Sequence, residues 1–146
     1  MPATGNEYGV VIPAYNAEAW LGQAIESVLN QTRPCSELIV VDDGSTDGTR
    51  TEATNFGEPV RLVSQPNGGV ASARNRGVSA TTARFLAFLD ADDIWEPEKM
   101  AKQIELFGRN HRIVMAHCGV TYVDADNQEM STDCDGGSGD VYKQLL

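Results

Sequence analysis

Short apolar runs alternate with amphipathic segments along most of this chain. Four of the runs are rich in Val, Ile, Leu and Phe, and each is followed at once by a polar or turn-forming segment. Runs of this length and composition are typical of buried strands. The sequence therefore predicts strands at 8–12, 38–41, 60–63 and 84–89.

The segment after Asn16 has the clearest helical periodicity. Its apolar residues recur at spacings of three and four, which is the stripe of an amphipathic helix, and Asn16 is suited to the N-cap. Ser45, Thr46 and Asp47 are each suited to cap a second helix, which Gly57 would end. The stripe of the first helix consists of Ala17, Trp20, Leu21, Ala24, Ile25, Val28 and Leu29.

Two further helices complete an alternating pattern. One is a small-residue helix at 70–80, and the other starts near Pro97, with Met100, Ile104 and Phe107 on one face. The last strand candidates are 113–116 and 120–123.

Continuous apolar strands alternating with helices indicate an α/β fold with a mostly parallel central sheet covered on both faces. The length is that of one ordinary domain. We predict a single domain over residues 1–146, with its core at about 8–123 and a loop-rich tail at 124–146.

Composition excludes several classes of protein. Eleven Lys and Arg against 21 Asp and Glu give a net charge of −10, which argues against a nucleic-acid partner. Cys35, Cys118 and Cys134 are odd in number and scattered, which favours reduced thiols over disulfides or a zinc site. Residues 1–8 lack the basic and apolar regions of a signal peptide, so none is expected, and no apolar run reaches the roughly 20 residues that span a bilayer. These features predict a cytoplasmic protein without a transmembrane segment.

Polar groups follow each of the four predicted strands. In an open parallel sheet, ligands bind in the crevice outside the carboxyl ends of the strands. The glycines of GxGxxG and of a P-loop are both missing after the first strand, so a bound phosphate would need a metal ion and side chains. The groups are 13–16, Asp42 with Asp43, 67–69, and 90–93.

The most informative group is Asp90, Asp92 and Asp93, directly after the fourth strand. Like charges 4 Å apart repel by roughly 4 kcal/mol at the effective dielectric of a protein surface, so folding stability gives no reason to cluster them. Asp90 and Asp92 are two residues apart and share one side of an extended backbone. This spacing favours a divalent-cation site, with a solvated acidic turn as the alternative. Taken singly, Asp42 and Asp43 also fit a turn and helix cap.

Five ordered motifs resemble those of family 2 glycosyltransferases. The resemblance covers about residues 8–107 and implies the GT-A fold, a Rossmann-like three-layer α/β/α sandwich that binds nucleotide sugars. The motifs are Val11-Ile12-Pro13-Ala14-Tyr15-Asn16, Val40 to Thr49 (VVDDGSTDGT), Asn67-Gly68-Gly69, Ala73-Arg74-Asn75, and Phe88 to Asp93 (FLDADD).

By this resemblance Asp90 and Asp92 form the DXD motif. Asp92 is then the main ligand of Mg²⁺ or Mn²⁺, which prefer carboxylate oxygens, and Asp90 approaches the ribose or the metal shell. Asp43 would accept a hydrogen bond from the base, and Pro13 and Tyr15 would line the base pocket. For Tyr15, a packing role is the alternative.

The resemblance also implies roles for charged residues outside DXD. Arg74 matches a basic residue near the diphosphate, whereas Arg76 is expected to be a surface charge. Glu18 matches a recurrent family acid, with a helix first-turn carboxylate as the alternative. Asp93 fits either the site or a helix cap. His111 and His117 are expected to be surface or strand-end residues rather than ligands.

The function implied is metal-assisted transfer of a sugar from a nucleoside diphosphate donor, UDP favoured, with inversion. The general base and most acceptor contacts lie downstream of DXD in this family, and no catalytic residue is identified here. We therefore expect the donor-binding half, truncated at the C-terminus, with a saccharide or lipid-linked acceptor. A non-catalytic nucleotide-sugar-binding module and a sugar nucleotidyltransferase are the alternatives. Self-association is expected, and a location at the inner face of the membrane stays open.

Overall fold

The computed structural model of the protein describes residues 7–124, 126 and 128–133. Strands and helices alternate through the first ninety residues, as the apolar pattern predicts. The elements are β1 (Tyr8–Ala14), α1 (Leu21–Leu29), β2 (Glu37–Asp42), α2 (Thr49–Asn55), β3 (Val60–Ser64), α3 (Val70–Ala80), β4 (Phe85–Phe88), α4 (Lys99–Arg109), β5 (Val120–Val123) and β6 (Glu129–Asp133).

The first four strands form a parallel sheet in the order β3-β2-β1-β4. Val11 of the central strand lies opposite Ile39 of β2 on one side and Phe88 of β4 on the other. The chain steps outward from β1 to β3 and then crosses back to β4. Because parallel crossovers are right-handed, α1 and α2 cover one face of the sheet and α3 the other. The prediction of an α/β sandwich with a parallel sheet is confirmed.

The core lies on both faces of β1 and β2. On one face Val11, Ile39 and Val41 pack with Ala73 of α3, and all four side chains are fully buried. Successive residues of a strand point to opposite faces, so the equally buried residues between them fill the other face. Those residues are Val10, Ile12, Leu38 and Val40.

The first helix begins later than its periodicity predicts. Asn16 has a left-handed backbone (φ +48°), and α1 begins at Leu21 with Trp20 at the N-cap position. The predicted N-cap role of Asn16 is therefore wrong. The Asn16 side chain instead accepts a hydrogen bond from the backbone N–H of Thr46 (2.9 Å), which joins the loop after β1 to the loop after β2.

The chain divides into two compact units, one ending at Ala101 and one beginning at Lys102. In the second unit, β5 and β6 form an antiparallel hairpin. The predicted strand at 113–116 is wrong, since this segment has no strand pairing and Val114 is 92% exposed. β6 falls within the stretch expected as a loop-rich tail, and residues 134–146 lie outside the described part. The single domain over residues 1–146 stays a prediction.

No helix within the described ranges is both long and apolar enough to cross a membrane.

Candidate nucleotide-sugar site

An open cavity of about 520 Å³ lies at the carboxyl ends of the parallel strands. The order of the strands reverses between β1 and β4, and such a switch point is where open α/β sheets bind ligands. All four polar groups that follow the predicted strands contribute to the lining. The lining residues are Pro13, Ala14, Tyr15, Asn16, Ala17, Trp20, Asp43, Asn67, Gly69, Val70, Ala73, Asp90, Ala91 and Asp92.

Asp43 is the buried carboxylate of this cavity, with only 3% of its surface exposed. Its Oδ1 accepts hydrogen bonds from the side-chain amide of Gln65 (2.7 Å) and the backbone N–H of Gly68 (2.9 Å). Its Oδ2 accepts one from the backbone N–H of Gly69 (2.7 Å). The carboxylate thus fixes the loop between β3 and α3 against the end of β2.

These donors also set the charge of Asp43. Burial alone would raise the pKa of this carboxyl, but hydrogen bonds from Gln65, Gly68 and Gly69 outweigh it, and the pKa lies below its ordinary value. Asp43 is therefore ionised at neutral pH and presents negative charge to the cavity.

Backbone conformation lets the two loops approach closely. Gly44 follows Asp43 with φ +77°, and a Cβ at that position would lie 2.7 Å from the backbone nitrogen of Asn67. Gly69 has φ +86° at the residue before α3. Only glycine adopts such angles at little cost, so both glycines hold the β2 and β3 loops together beside Asp43.

Asp90 and Arg74 form an ion pair beside the cavity. The Arg74 guanidinium donates to Oδ1 of Asp90 at 2.6 Å, with both side chains partly exposed. Oδ2 of Asp90 accepts no hydrogen bond within the described residues, and Nε of Arg74 is buried there without a hydrogen-bond partner. The pair therefore keeps one acceptor and one donor uncommitted. Arg74 itself is not among the lining residues.

The acidic corner after β4 concentrates negative charge. Asp92 is exposed and lines the cavity together with Asp90. Burial raises the pKa of the neighbouring Asp93, and the charges of Asp92 and Asp90 raise it further. The backbone N–H of Asp93 donates to the carbonyl of Asp90 (3.1 Å), and Asp93 is not among the lining residues. It is not a helix cap, because α4 begins only at Lys99.

These carboxylates fit a divalent cation. Magnesium-type sites typically use one or two protein carboxylates together with substrate phosphates and water, and Asp90 and Asp92 offer that number. The described ranges contain no cluster of three or more His, Cys, Asp or Glu side chains placed to hold a metal by themselves. Metal binding here would therefore depend on oxygens supplied by the ligand.

Aromatic side chains form one wall of the cavity. Tyr15 is 52% exposed and Trp20 is 53% exposed, and both line the cavity together with Pro13. The predicted packing stripe included Trp20, so sequence reasoning missed it as a lining residue. The one signal in the sequence was the residue type of Asn16, because asparagine adopts a left-handed backbone more often than most residues. The helix begins after this loop, and Trp20 lies at its N-cap position rather than on its buried face.

Several other residues singled out in the sequence are not among those that line the cavity. Glu18 accepts a hydrogen bond from the backbone N–H of Gly48 (2.8 Å) and does not line the cavity. Arg76, His111 and His117 are exposed, as expected. Cys35 and Cys118 are free thiols, and Cys134 lies outside the described residues.

Segment 95–100, after the acidic corner, is anchored by Ser27 of α1 and by Gln31 just after that helix. The sequence did not predict this anchoring. The Ser27 hydroxyl oxygen accepts from the backbone N–H of Trp95 (3.1 Å). The Gln31 side chain donates to the Glu96 carbonyl (2.8 Å) and accepts from the backbone N–H of Met100 (3.0 Å). These bonds fix where the chain goes after Asp92.

Known proteins share both the sequence pattern and this fold. The family model for glycosyl transferase family 2 matches residues 9–138. An uncharacterised glycosyltransferase from Nostoc sp. is 39% identical over 112 residues, which are 74% of this chain and 35% of that protein.

Two solved structures superpose on most of this chain. S. aureus TarS 1-349 in complex with UDP-GlcNAc has a TM-score of 0.68 at 26% identity, over 72% of this chain and 32% of that one. The mannosyltransferase PcManGT from Pyrobaculum calidifontis, in complex with GDP-Man and Mn²⁺, has a TM-score of 0.65 at 25% identity, over 73% and 33%. This chain spans about a third of the length of these relatives.

The family model extends over most of the sequence, and the two solved structures share the fold of this chain at TM-scores of 0.68 and 0.65. The chain belongs to glycosyl transferase family 2 and has the GT-A fold.

Proposed function

We propose that this chain binds a nucleoside diphosphate sugar, with UDP as the favoured nucleotide, and serves glycosyl transfer with inversion. The observation that carries this proposal is that Tyr15, Asp43, Asp90 and Asp92 all line one cavity at the strand ends. Similarity to TarS, solved with UDP-GlcNAc, supports the choice of donor class.

The nucleobase is proposed to bind at the Asp43 end of the cavity. Pro13 and Tyr15 offer a rigid turn and an aromatic face suited to a flat ring. Asp43 is ionised and has one acceptor position left on Oδ2, which suits a ring N–H of the base. Base recognition would then combine stacking with one charge-assisted hydrogen bond.

The diphosphate is proposed to bind at the Asp90 end. Asp92 and the uncommitted oxygen of Asp90 would hold Mg²⁺ or Mn²⁺, which when bound neutralises charge that develops on the leaving diphosphate. Arg74 would orient Asp90 through their ion pair and adds positive charge near the phosphates. Glu18, bonded to Gly48, would support the loop before α2 rather than contact the donor.

Calorimetric titration of UDP with and without Mn²⁺ tests the proposal. We expect Mn²⁺ to strengthen binding, and Asp92→Asn to remove most of that gain, because the substitution deletes a carboxylate ligand. Glu58→Gln is the control, since Glu58 is an exposed carboxylate away from the cavity and changes the net charge equally. Equal UDP affinity with and without Mn²⁺ in the unsubstituted chain would contradict the proposed site.

A donor-binding module without transfer activity is the second candidate. The acidic lining residues are Asp43, Asp90 and Asp92, and each has a role in donor binding, so none of the described lining residues is left to act as general base. Incubation of a UDP-sugar with Mn²⁺ separates the two candidates. Slow release of free sugar favours an enzyme, whereas binding without turnover favours the module.

A further inference from the structure

The acceptor capacity of Asp43 is unevenly used. An ionised carboxylate has about four lone-pair positions, two on each oxygen. Gln65 and Gly68 both donate to Oδ1, whereas Gly69 alone donates to Oδ2. Oδ1 is therefore saturated, and Oδ2 retains one position for a ligand.

Gln65 is the side chain that makes this difference. Its Nε2 donates to Oδ1 of Asp43 at 2.7 Å, and the second proton of the same amide is placed for Oγ of Ser72 at 3.0 Å. The two donors from Gly68 and Gly69 are backbone N–H groups, which only a proline substitution would remove. Gln65 is the one side-chain donor of the three, so its identity changes how many acceptors Asp43 offers.

The number of lone-pair positions that Asp43 leaves open determines whether uracil or guanine can pair fully with it. Uracil presents one ring N–H between two carbonyls, which one lone pair satisfies. Guanine presents a ring N–H beside an exocyclic NH₂, and a carboxylate pairs with both only if each oxygen has an open position. With Oδ1 saturated, one guanine donor would be left unpaired on binding, and sites reject ligands that leave buried polar groups without partners.

We propose that Gln65 is a specificity-determining residue that favours uracil over guanine by occupying the second oxygen of Asp43. This inference rests on the proposed function, because it requires the nucleobase to meet Asp43. The fold does not decide between uracil and guanine nucleotides, since neighbours at similar TM-scores were solved in complex with UDP-GlcNAc and with GDP-Man.

The test compares UDP and GDP binding, with Mn²⁺ present, by calorimetry in the unsubstituted chain and in Gln65→Leu. The unsubstituted chain is expected to bind UDP at least about tenfold more tightly than GDP, as the loss of one hydrogen bond to a charged group implies. Gln65→Leu opens a position on Oδ1 while Gly68 still donates. In this variant the affinities for UDP and GDP are expected to differ by no more than about threefold, chiefly because GDP binds more tightly.

Ser72→Ala is the matched control, because it removes the other partner of Gln65 and leaves the bond to Asp43 in place. Its ratio is expected to equal that of the unsubstituted chain. A ratio of two affinities is independent of the folded fraction, so partial unfolding of Gln65→Leu does not obscure the result, and Gln65→Met repeats it with an unbranched side chain.

An unchanged ratio in both Gln65 variants, or an equal shift in Ser72→Ala, overturns the inference and leaves the proposed function standing. A preference for GDP in the unsubstituted chain also overturns it. Failure of the unsubstituted chain to bind either nucleotide would instead overturn the proposed function and the inference with it.

Discussion

Asp43 joins the three loops that follow β1, β2 and β3. Its backbone N–H donates to the carbonyl of Ala14 at the end of β1 (2.8 Å), and its side chain accepts from Gly68 and Gly69. Because three loops meet at this residue, its side chain shapes the cavity wall as well as contributing charge. A variant at this position should therefore change stability as well as ligand binding.

Asp43→Asn is expected to destabilise the fold by about 2–3 kcal/mol, because an amide cannot accept all three hydrogen bonds at these sites and turns an NH₂ toward other donors. Urea unfolding followed by circular dichroism measures this free energy. Glu58→Gln removes the same charge from an exposed position and is expected to stay within about 0.5 kcal/mol of the unsubstituted chain. If Asp43→Asn and the unsubstituted chain have the same free energy of unfolding, the three hydrogen bonds that the Asp43 carboxylate accepts contribute little to stability.

Low pH should reduce the stability that Asp42 and Asp43 contribute to the fold. For Asp42, burial alone would raise the pKa, but hydrogen bonds from Ser45 and Arg50 outweigh it and lower the pKa, as the donors around Asp43 do there. A carboxyl with a lowered folded pKa contributes stability that is fully present above its unfolded pKa, about 3.9, and is lost as pH falls through the folded value. The free energy of unfolding should therefore decline below about pH 4.

Urea titrations between pH 6 and pH 3 check this pH dependence. Asp43→Asn should show a shallower decline than the unsubstituted chain, because one of the carboxyls with a lowered pKa is gone. Parallel curves for the two proteins would argue that other groups dominate the acid response.

Among the elements, strands were more predictable than helix starts. All four strands are short apolar runs in the sequence, and the two central strands, β1 and β2, are buried along almost their whole length. The two edge strands, β3 and β4, are only partly buried. The start of α1 depended on Asn16, whose side chain bonds to Thr46 in another loop instead of capping. β6 reads Glu-Met-Ser-Thr-Asp, which lacks alternating apolar residues, so no local pattern announced it.

The sequence predicted the site residues that lie directly after strands of the sheet, but not the contacts between loops. Asp43 follows β2 and Asp90 follows β4, the two strands that flank β1 in one parallel sheet, so their convergence on one cavity follows from topology. The hydrogen bond from Gln65 to Asp43 arises from how the loop after β3 folds back, and no spacing in the sequence indicates it. Tertiary loop contacts of this kind need the structure.

The contact between α3 and β1 yields a prediction about packing. A Cβ at Gly77 would lie 2.2 Å from Cγ1 of Val11, which is fully buried in the central strand. Gly77→Ala should therefore cost about 1–3 kcal/mol from overpacking, despite the better helix propensity of alanine. Thermal unfolding measures the loss.

Gly108 provides the matched control for this packing argument. Within the described residues, nothing lies within 4 Å of a Cβ built at Gly108, which is in α4. Gly108→Ala should therefore be neutral or stabilise by up to about 1 kcal/mol through helix propensity. Equal effects of the two substitutions would show that Val11 moves aside without cost.

At the scale of the whole molecule, the charge opposes the proposed ligand. The chain carries a net charge of −10, and a nucleoside diphosphate is also an anion. Arg74 is close to the cavity but is already paired with Asp90. Long-range repulsion should therefore slow and weaken the approach of a metal-free nucleotide, whereas a nucleotide that carries a divalent cation arrives with most of its charge neutralised.

This repulsion should appear in the salt dependence of UDP binding. Salt screens charges beyond a Debye length of about 10 Å at 0.1 M and about 30 Å at 0.01 M. In EDTA, the dissociation constant of UDP should fall as NaCl rises from about 0.01 M to 0.1 M, because the repulsion of the acidic surface is screened. With saturating Mn²⁺, the dissociation constant should change much less over the same range. A dissociation constant that rises with salt in EDTA would contradict this prediction. It would mean that attraction of UDP by the positive charge of Arg74 is stronger than repulsion by the net negative charge of the chain.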